Sequence, residues 1–236
     1  MKTFQFRRKK VIFIMSAVIF VCIGGSTFAL TRTRSGSDEY FDQVVCTSVP
    51  KICDTTKFSN SEVIVNGVNV NHDHIAKLIE NSRAINIQNG GIRTDDEVVG
   101  MAIADSVYRM IVLNEAAKQG LDVSTEVAKA QYQEELQLLQ GQSPEQLKEF
   151  GVDISQLDIG EMSDESVEVY RKSLLISEFE MKFVLVDKDG QIDQTPLQRS
   201  KWLSLVMSKY SIELQNFPFQ VADLPEYLAL QYQVHS

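Results

Sequence analysis

From Val11 to Leu30 the chain runs 20 residues without a charged side chain. As a helix, a stretch of that length crosses roughly 30 Å, the thickness of a bilayer's hydrocarbon core. Residues 1–10 ahead of it carry five basic groups, Lys2, Arg7, Arg8, Lys9 and Lys10, and no acid occurs before Asp38. Basic flanks stay cytoplasmic, so the pattern predicts one membrane-crossing segment at 11–30 with the remaining chain outside the cytoplasm. Two readings stay open. Thr27-Phe28-Ala29 has the small-x-small form of a cleavage site, and cutting after Ala29 would leave a secreted or periplasmic protein. The length of the apolar run, with Arg32 and Arg34 beyond it, favours a retained single-pass anchor in the cell membrane. Cys22 reads as an ordinary thiol within that run, because Ile19-Phe20-Val21 lacks the small residue a lipoprotein peptidase expects.

Division at Leu30 makes the charge lopsided. All 32 acids lie beyond it with 18 of the 23 basic groups, a formal −14 for the exported part. Phosphate contacts need a Lys/Arg surface, so this balance excludes general nucleic-acid binding. Hydrophobic residues make up 44% of the chain, enough to bury a core. Three Cys are too few for a disulfide scaffold or a four-thiolate zinc site. Cys46 and Cys53 frame the run CTSVPKIC, and outside the membrane such a pair can oxidise, with Pro50 turning the chain between them. Two unpaired thiols in a linker is the equal alternative, since spacing does not reveal loop geometry.

Residues 31–60 read as a polar linker. Regular structure is expected from Glu62-Val63-Ile64-Val65, a β-branched run stopped by the turn pair Asn66-Gly67 and continued by Val68-Asn69-Val70. Asn71 is placed to cap a helix through Ile75, Leu78 and Ile79, which Asn89-Gly90-Gly91 breaks. Thr94 with Glu97 forms a capping box for a helix whose stripe is Val99, Ile103, Val107 and Ile111, widened by Ala102, Met110 and Leu113. Gly120 follows its end. A helix from Val123-Ser124-Thr125-Glu126 should turn Val127, Ala130, Leu136 and Leu139 inward, and Ser143-Pro144-Glu145-Gln146 caps a short one ending at Gly151. Ser163-Asp164-Glu165 opens a helix with Val167, Tyr170, Leu174, Leu175, Phe179 and Phe183 inward. Thr195-Pro196-Leu197-Gln198 starts another, with Leu197, Trp202, Leu205, Val206 and Met207 as its apolar residues. Tyr210 to Leu214 alternates as a strand does, and residues 215–236, with Pro218 and Pro225, read as a loosely ordered tail. The expectation is a mainly α domain at 61–214.

Catalytic patterns are missing. Neither Gly-x-Ser-x-Gly, His-Glu-x-x-His nor a phosphate-cradling glycine loop occurs. His72-Asp73-His74 is the tempting cluster, but residues two apart on a helix point to different faces, so a polar first turn is preferred over a metal site. His235 has no partner that can be named. Asp95-Asp96 and Asp164-Glu165 sit at helix starts, where the macrodipole explains them. Met101, Met110, Met162, Met181 and Met207 at helical spacing read as core rather than as an adaptable binding surface. No catalytic residue, cofactor or metal ligand is therefore assigned.

The order of elements resembles a known family. Val65-Asn66-Gly67 leads at once into a helix, and the run Leu113-Asn114-Glu115-Ala116-Ala117-Lys118-Gln119-Gly120-Leu121-Asp122-Val123-Ser124 is similar to a stretch of the SurA-type extracytoplasmic chaperones, shared with the PrsA-type foldases. Tyr170 to Ile176 resembles the helix preceding that family's isomerase domain, and Lys201-Trp202-Leu203 through Ile212-Glu213-Leu214 its closing helix and strand. The resemblance spans Glu62 to Leu214 and implies a helical chaperone core closed by a two-stranded pairing of Val63–Val65 with Ser211–Glu213. It departs from the family at Asp187–Ser200, where 14 residues stand in place of a parvulin domain. A domain needs at least about 50 residues, so prolyl isomerase activity is not carried over. The implied function is non-catalytic: a membrane-tethered extracytoplasmic chaperone holding unfolded or exported polypeptides. The alternative is a dedicated assembly subunit for one secreted product or membrane complex, and a residual peptidyl-prolyl isomerase ranks below both.

Overall fold

Two segments about 150 residues apart in sequence must meet for the expected strand pairing to close the chain. A computed structural model describes residues 58, 60–70, 72–88, 90–140, 164–186, 192 and 196–233, and in it they do meet. Strand β1 (Glu62–Val65) pairs antiparallel with β3 (Ile212–Gln215), setting Val63 opposite Leu214 and Val65 opposite Ile212. The sheet has a third strand beyond the expected two. Strand β2 (Val68–Asn69) folds back on β1 across Asn66-Gly67, giving the order β2-β1-β3. Both turn residues take positive φ, 52° at Asn66 and 77° at Gly67, as a two-residue hairpin turn of this hand requires.

Two asparagines hold the ends of this pairing. Asn66 donates its N–H to the Ser211 carbonyl at 2.7 Å and accepts the Ser211 N–H on Oδ1 at 2.9 Å. At the other end Asn216, also left-handed at φ 60°, donates Nδ2 to the Asn60 carbonyl at 2.7 Å, and its own carbonyl accepts the Ser61 hydroxyl at 3.0 Å. Asn tolerates that conformation because its short polar side chain bonds locally. Val63 and Val65 are buried on one face, while Glu62 and Gln215 are exposed.

The described chain is mostly helical. Its described residues divide into two compact units, one formed by those from 58 to 120 with those from 178 to 233, and one by those from 121 to 177. In the first, helix α1 (His72–Gln88) and helix α2 (Asp95–Lys118) pack together across a turn in which Gly90 and Gly91 are left-handed. Asn86 closes that turn by bonding both the Arg93 N–H and the Arg93 carbonyl, and Arg83 grips Asp95 with two bonds of 2.7 and 3.0 Å. The capping box at α2 forms as its residues dictate: the Glu97 N–H reaches Thr94 Oγ1 and the Thr94 N–H reaches Glu97 Oε2. The expected stripe on α2 understates its burial. Every residue from Val98 to Tyr108 is buried, so this helix is enclosed on all sides there.

The supposed tail is part of that enclosure. Past a short 3₁₀ turn (Val221–Asp223), residues Leu224–Gln233 form helix α6, which packs on α2 and on helix α5 (Pro196–Val206). Leu224 and Leu228 are fully buried, which supplies the driving force. Pro225 falls in the first turn, where its missing N–H has no helical partner to lose, so it does not break the helix. Phe58, expected in the linker, is buried too, stacking on Phe217 at 6.0 Å in a row that continues to Phe219 and Tyr227.

In the other unit, helix α3 (Thr125–Gln140) and the body of helix α4 (Asp164–Phe179) start where capping residues place them. The inward face of α3 is rotated from expectation. Val127 and Ala130 are exposed, whereas Ala128 and Glu135 are buried. The rotation brings Tyr132 edge-on to Tyr170 at 5.5 Å, and burial of these two rings outweighs that of a single valine. Residues 1–57 lie outside the described residues, and with them the expected membrane crossing at 11–30, Cys22, Cys46 and Cys53. The same holds for the expected helix at 143–151, for Met162 and for His235. Among the described residues no helix is long and apolar enough to cross a membrane.

Gly100 on α2 lets α6 approach closely: a Cβ there would sit 2.6–2.7 Å from three ring atoms of Tyr227. The conflict exceeds the ~1 kcal/mol an alanine brings to a helix, so Gly100→Ala should destabilise the protein by about 1–2 kcal/mol. Thermal unfolding checks this, and Tyr227→Leu in the same chain should recover part of the loss; an unchanged midpoint for Gly100→Ala would show that α6 is not seated there.

Candidate functional site

Charged residues seldom lie inside a core unless paired, and helix α5 brings one there. Its inward residues are Arg199, Ser200, Leu203 and Val206, so a guanidinium sits among apolar side chains. Arg199 donates Nε to Glu180 Oε1 and Nη2 to Glu180 Oε2, both at 2.8 Å, with the two side chains 6% and 5% exposed. Tyr108 of α2 donates its hydroxyl to the same Oε1 at 2.6 Å. Trp202, one turn along from Arg199, lies edge-on to Tyr108 at 5.7 Å and to Phe179 at 5.6 Å, roofing the cluster with rings.

Glu180 reaches this position through a widened turn. Residues Glu180–Val184 continue α4 as one π-helical turn, closed by the Leu185 N–H on the Glu180 carbonyl at 2.8 Å. The extra residue in the turn shifts the register of the helix beyond Phe179, and Phe183, expected inward, is 45% exposed while still touching the Phe179 ring. The cluster thus ties three elements, α2, the π-turn and α5, with donors and acceptors turned on one another. It holds helices in place and presents no reactive group to solvent.

A second network fastens the start of β3. Tyr210 donates its hydroxyl to Glu115 near the end of α2, and Lys118 bonds both Glu115 and that hydroxyl at 2.8 and 3.1 Å, with its ammonium 4.8 Å from the Tyr210 ring centre. Lys118, then Tyr210, hold the Glu115 carboxyl below the usual carboxylate range. Burial, then Glu115, push the Tyr210 phenol up.

Within the unit of residues 121–177, Glu135 is buried beside Tyr170. Neither Glu135 Oε1 nor the Tyr170 hydroxyl makes a hydrogen bond of good geometry, although Tyr170 and Gln131 are near enough to oppose the effect of burial. Burial dominates and raises the Glu135 pKa; burial and then Glu135 raise that of Tyr170. Arg171 organises the exposed side of this unit, bonding Glu168, Asp122 and the Val123 carbonyl.

Comparison with known proteins gives no match: no family model, curated sequence or solved structure corresponds to the chain.

The outer side of α5 is the reverse of its inner side. Leu197 and Leu205, expected among its apolar packing residues, are 51% and 74% exposed. Ile192 before the helix is exposed as well. The sequence marks Leu197, Trp202 and Leu205 as apolar but does not show that the buried side of this helix carries an arginine. One signal was present: Glu180 lies four residues after Ile176 and directly after Phe179, a charge in the apolar stripe of α4. Its partner was not identifiable, because Arg199 is 19 residues away. The backbone begins α1 at His72, the first residue of the His72-Asp73-His74 cluster. Among the described residues no group of three or more His, Cys, Asp or Glu is gathered as a metal site. Met101 is buried, and Met110, Met181 and Met207 are half-buried.

Removing one partner of a buried pair leaves a charge without compensation, so Arg199→Met should cost about 3–5 kcal/mol. Glu180→Leu with Arg199→Met should recover most of it, because an apolar pair has no charge to bury. Trp202 is the chain's single tryptophan, so its fluorescence during denaturant unfolding reports this region directly. A loss within the range of surface substitutions for Arg199→Met would show that the pair is not holding the core.

Glu135 gives a pH dependence of definite sign. Its folded pKa lies above the ordinary value near 4.5, so as pH rises from there through the raised value the unfolded state loses its proton first. The contribution of Glu135 to stability should therefore fall over that window and be greatest below it, opposite in sign to that of Glu115. Glu135→Gln should flatten this slope and raise the melting temperature at neutral pH, as thermal unfolding between about pH 4 and 8 would register.

Proposed function

We propose that the chain is an extracytoplasmic binding protein of the chaperone type, tethered to the membrane by residues 11–30 and holding unfolded or exported polypeptides without chemistry. The observation that carries this reading is the exposed apolar set on and before α5, Ile192, Leu197 and Leu205, mounted on a helix whose opposite side is pinned by the Arg199–Glu180 pair. Apolar side chains on a rigid element, open to solvent, suit transient association with apolar segments of other chains. The polar networks support the reading by what they are engaged in: Tyr108, Glu180 and Arg199 bind one another, as do Glu115, Lys118 and Tyr210.

The resemblance to the SurA-type core agrees with this assignment, and the 14 residues at Asp187–Ser200 supply no isomerase. The full chain should slow aggregation of a chemically denatured test protein, followed by light scattering. Replacing both exposed leucines, Leu197→Glu with Leu205→Glu, should remove most of that protection while leaving the melting temperature within about 4 °C, since exposed substitutions move stability by no more than about 0.5 kcal/mol each. A wild-type chain that leaves aggregation unchanged would overturn the proposal.

A further inference from the structure

The exposed leucines on α5 do not stand alone. Leu197, Lys201 and Leu205 recur at four-residue steps along its outer side, and Lys209 continues the interval just past its end. Four residues of α-helix rise about 6 Å, so Leu197, Lys201 and Leu205 follow one another at that interval, with Lys209 beyond them at the end of the 3₁₀ turn. Lys201 and Lys209 are exposed; among the described residues neither makes an ion pair within 4 Å, and Lys209 lies near enough to Glu115 to help hold its carboxyl in the charged form. No Asp or Glu occurs from Gln194 to Ile212, in a chain that has 32 of them. The ridge therefore carries two leucines and two lysines and no acid of its own, on a protein that is acidic in sum.

Building on the chaperone reading, we infer that this ridge selects client segments that are acidic as well as apolar. An overall acidic surface would favour basic clients, but the ridge itself carries the opposite charge. An extended polypeptide repeats its same-face side chains about every 6.6 Å, close to the ridge interval. A strand-like segment with apolar and acidic residues alternating along one face would therefore set its apolar groups against Leu197 and Leu205 and its carboxylates against Lys201 and Lys209. Association through the apolar groups brings the charges together at the rim, where they contribute selectivity more than affinity.

Three fluorescent peptides of identical apolar pattern test this, carrying Glu, Gln or Lys at the alternate same-face positions, with binding to the full chain followed by anisotropy. Two exposed charge pairs should make the Glu peptide bind about fivefold tighter than the Gln peptide, and the Lys peptide should be weakest. High salt should erase the difference. Lys201→Glu should abolish the preference for Glu, and the uncharged Leu205→Ser should weaken the Glu and Gln peptides alike. If the Glu and Gln peptides bind equally while the chain still suppresses aggregation, the charge selection is wrong and the chaperone reading stands. If no peptide binds and aggregation is not suppressed, both fall.

Discussion

The pairing of β1 with β3 is the constraint on which the first unit depends. Closing a loop of about 150 residues costs on the order of 4 kcal/mol beyond the constant term, and two strands of four residues cannot meet that cost from their ladder alone. The contacts around them share it. Val63 and Val65 bury one face, Asn66 and Asn216 fasten the two ends, and Glu115 with Lys118 holds Tyr210 immediately before β3. Because β3 follows α5 after only a short 3₁₀ turn, Met207–Lys209, anchoring the strand also limits where that helix can lie.

The Arg199–Glu180 pair orients α5 more than it stabilises the fold. A buried ion pair recovers its desolvation cost only with good geometry and satisfied neighbours, and an apolar pair of similar volume often does as well. Its value is directional. The guanidinium meets the Glu180 carboxylate with two bonds, so the helix is held with Leu203 and Val206 inward and Leu197, Lys201 and Leu205 outward. A purely apolar inner side would leave the exposed leucines free to compete for the core.

Local signals were legible where the physics is local. Thr94 with Glu97, the Asn66-Gly67 turn, Gly90-Gly91 and the starts at Asp164 and Pro196 need only a few neighbouring residues, and each produces its element. The β1–β3 pairing was expected only through what the family resemblance implies, since neither strand's own strength announces a partner about 150 residues away. Errors arose where local rules meet distant partners. Pro225 looks like a breaker until Leu224 and Leu228 find α2 and α5 to bury against. Val127 loses its inward place to the Tyr132–Tyr170 contact, and Phe183 is turned out by a π-turn with no marker in the sequence.

By itself the sequence determined the split of charge at Leu30, the run from Val11 to Leu30, the capped starts of helices α2 to α5 and the lack of familiar catalytic patterns, because composition, caps and turns act within a few residues. The tertiary structure alone decided which side of α5 faces water. Helical spacing makes Leu197 and Leu205 as good a core face as any, and only the meeting of Arg199 with a carboxylate 19 residues away, beneath the Tyr108 hydroxyl, turns them outward. An arginine reaches the core only where its charge is matched, and that match is a property of the folded chain.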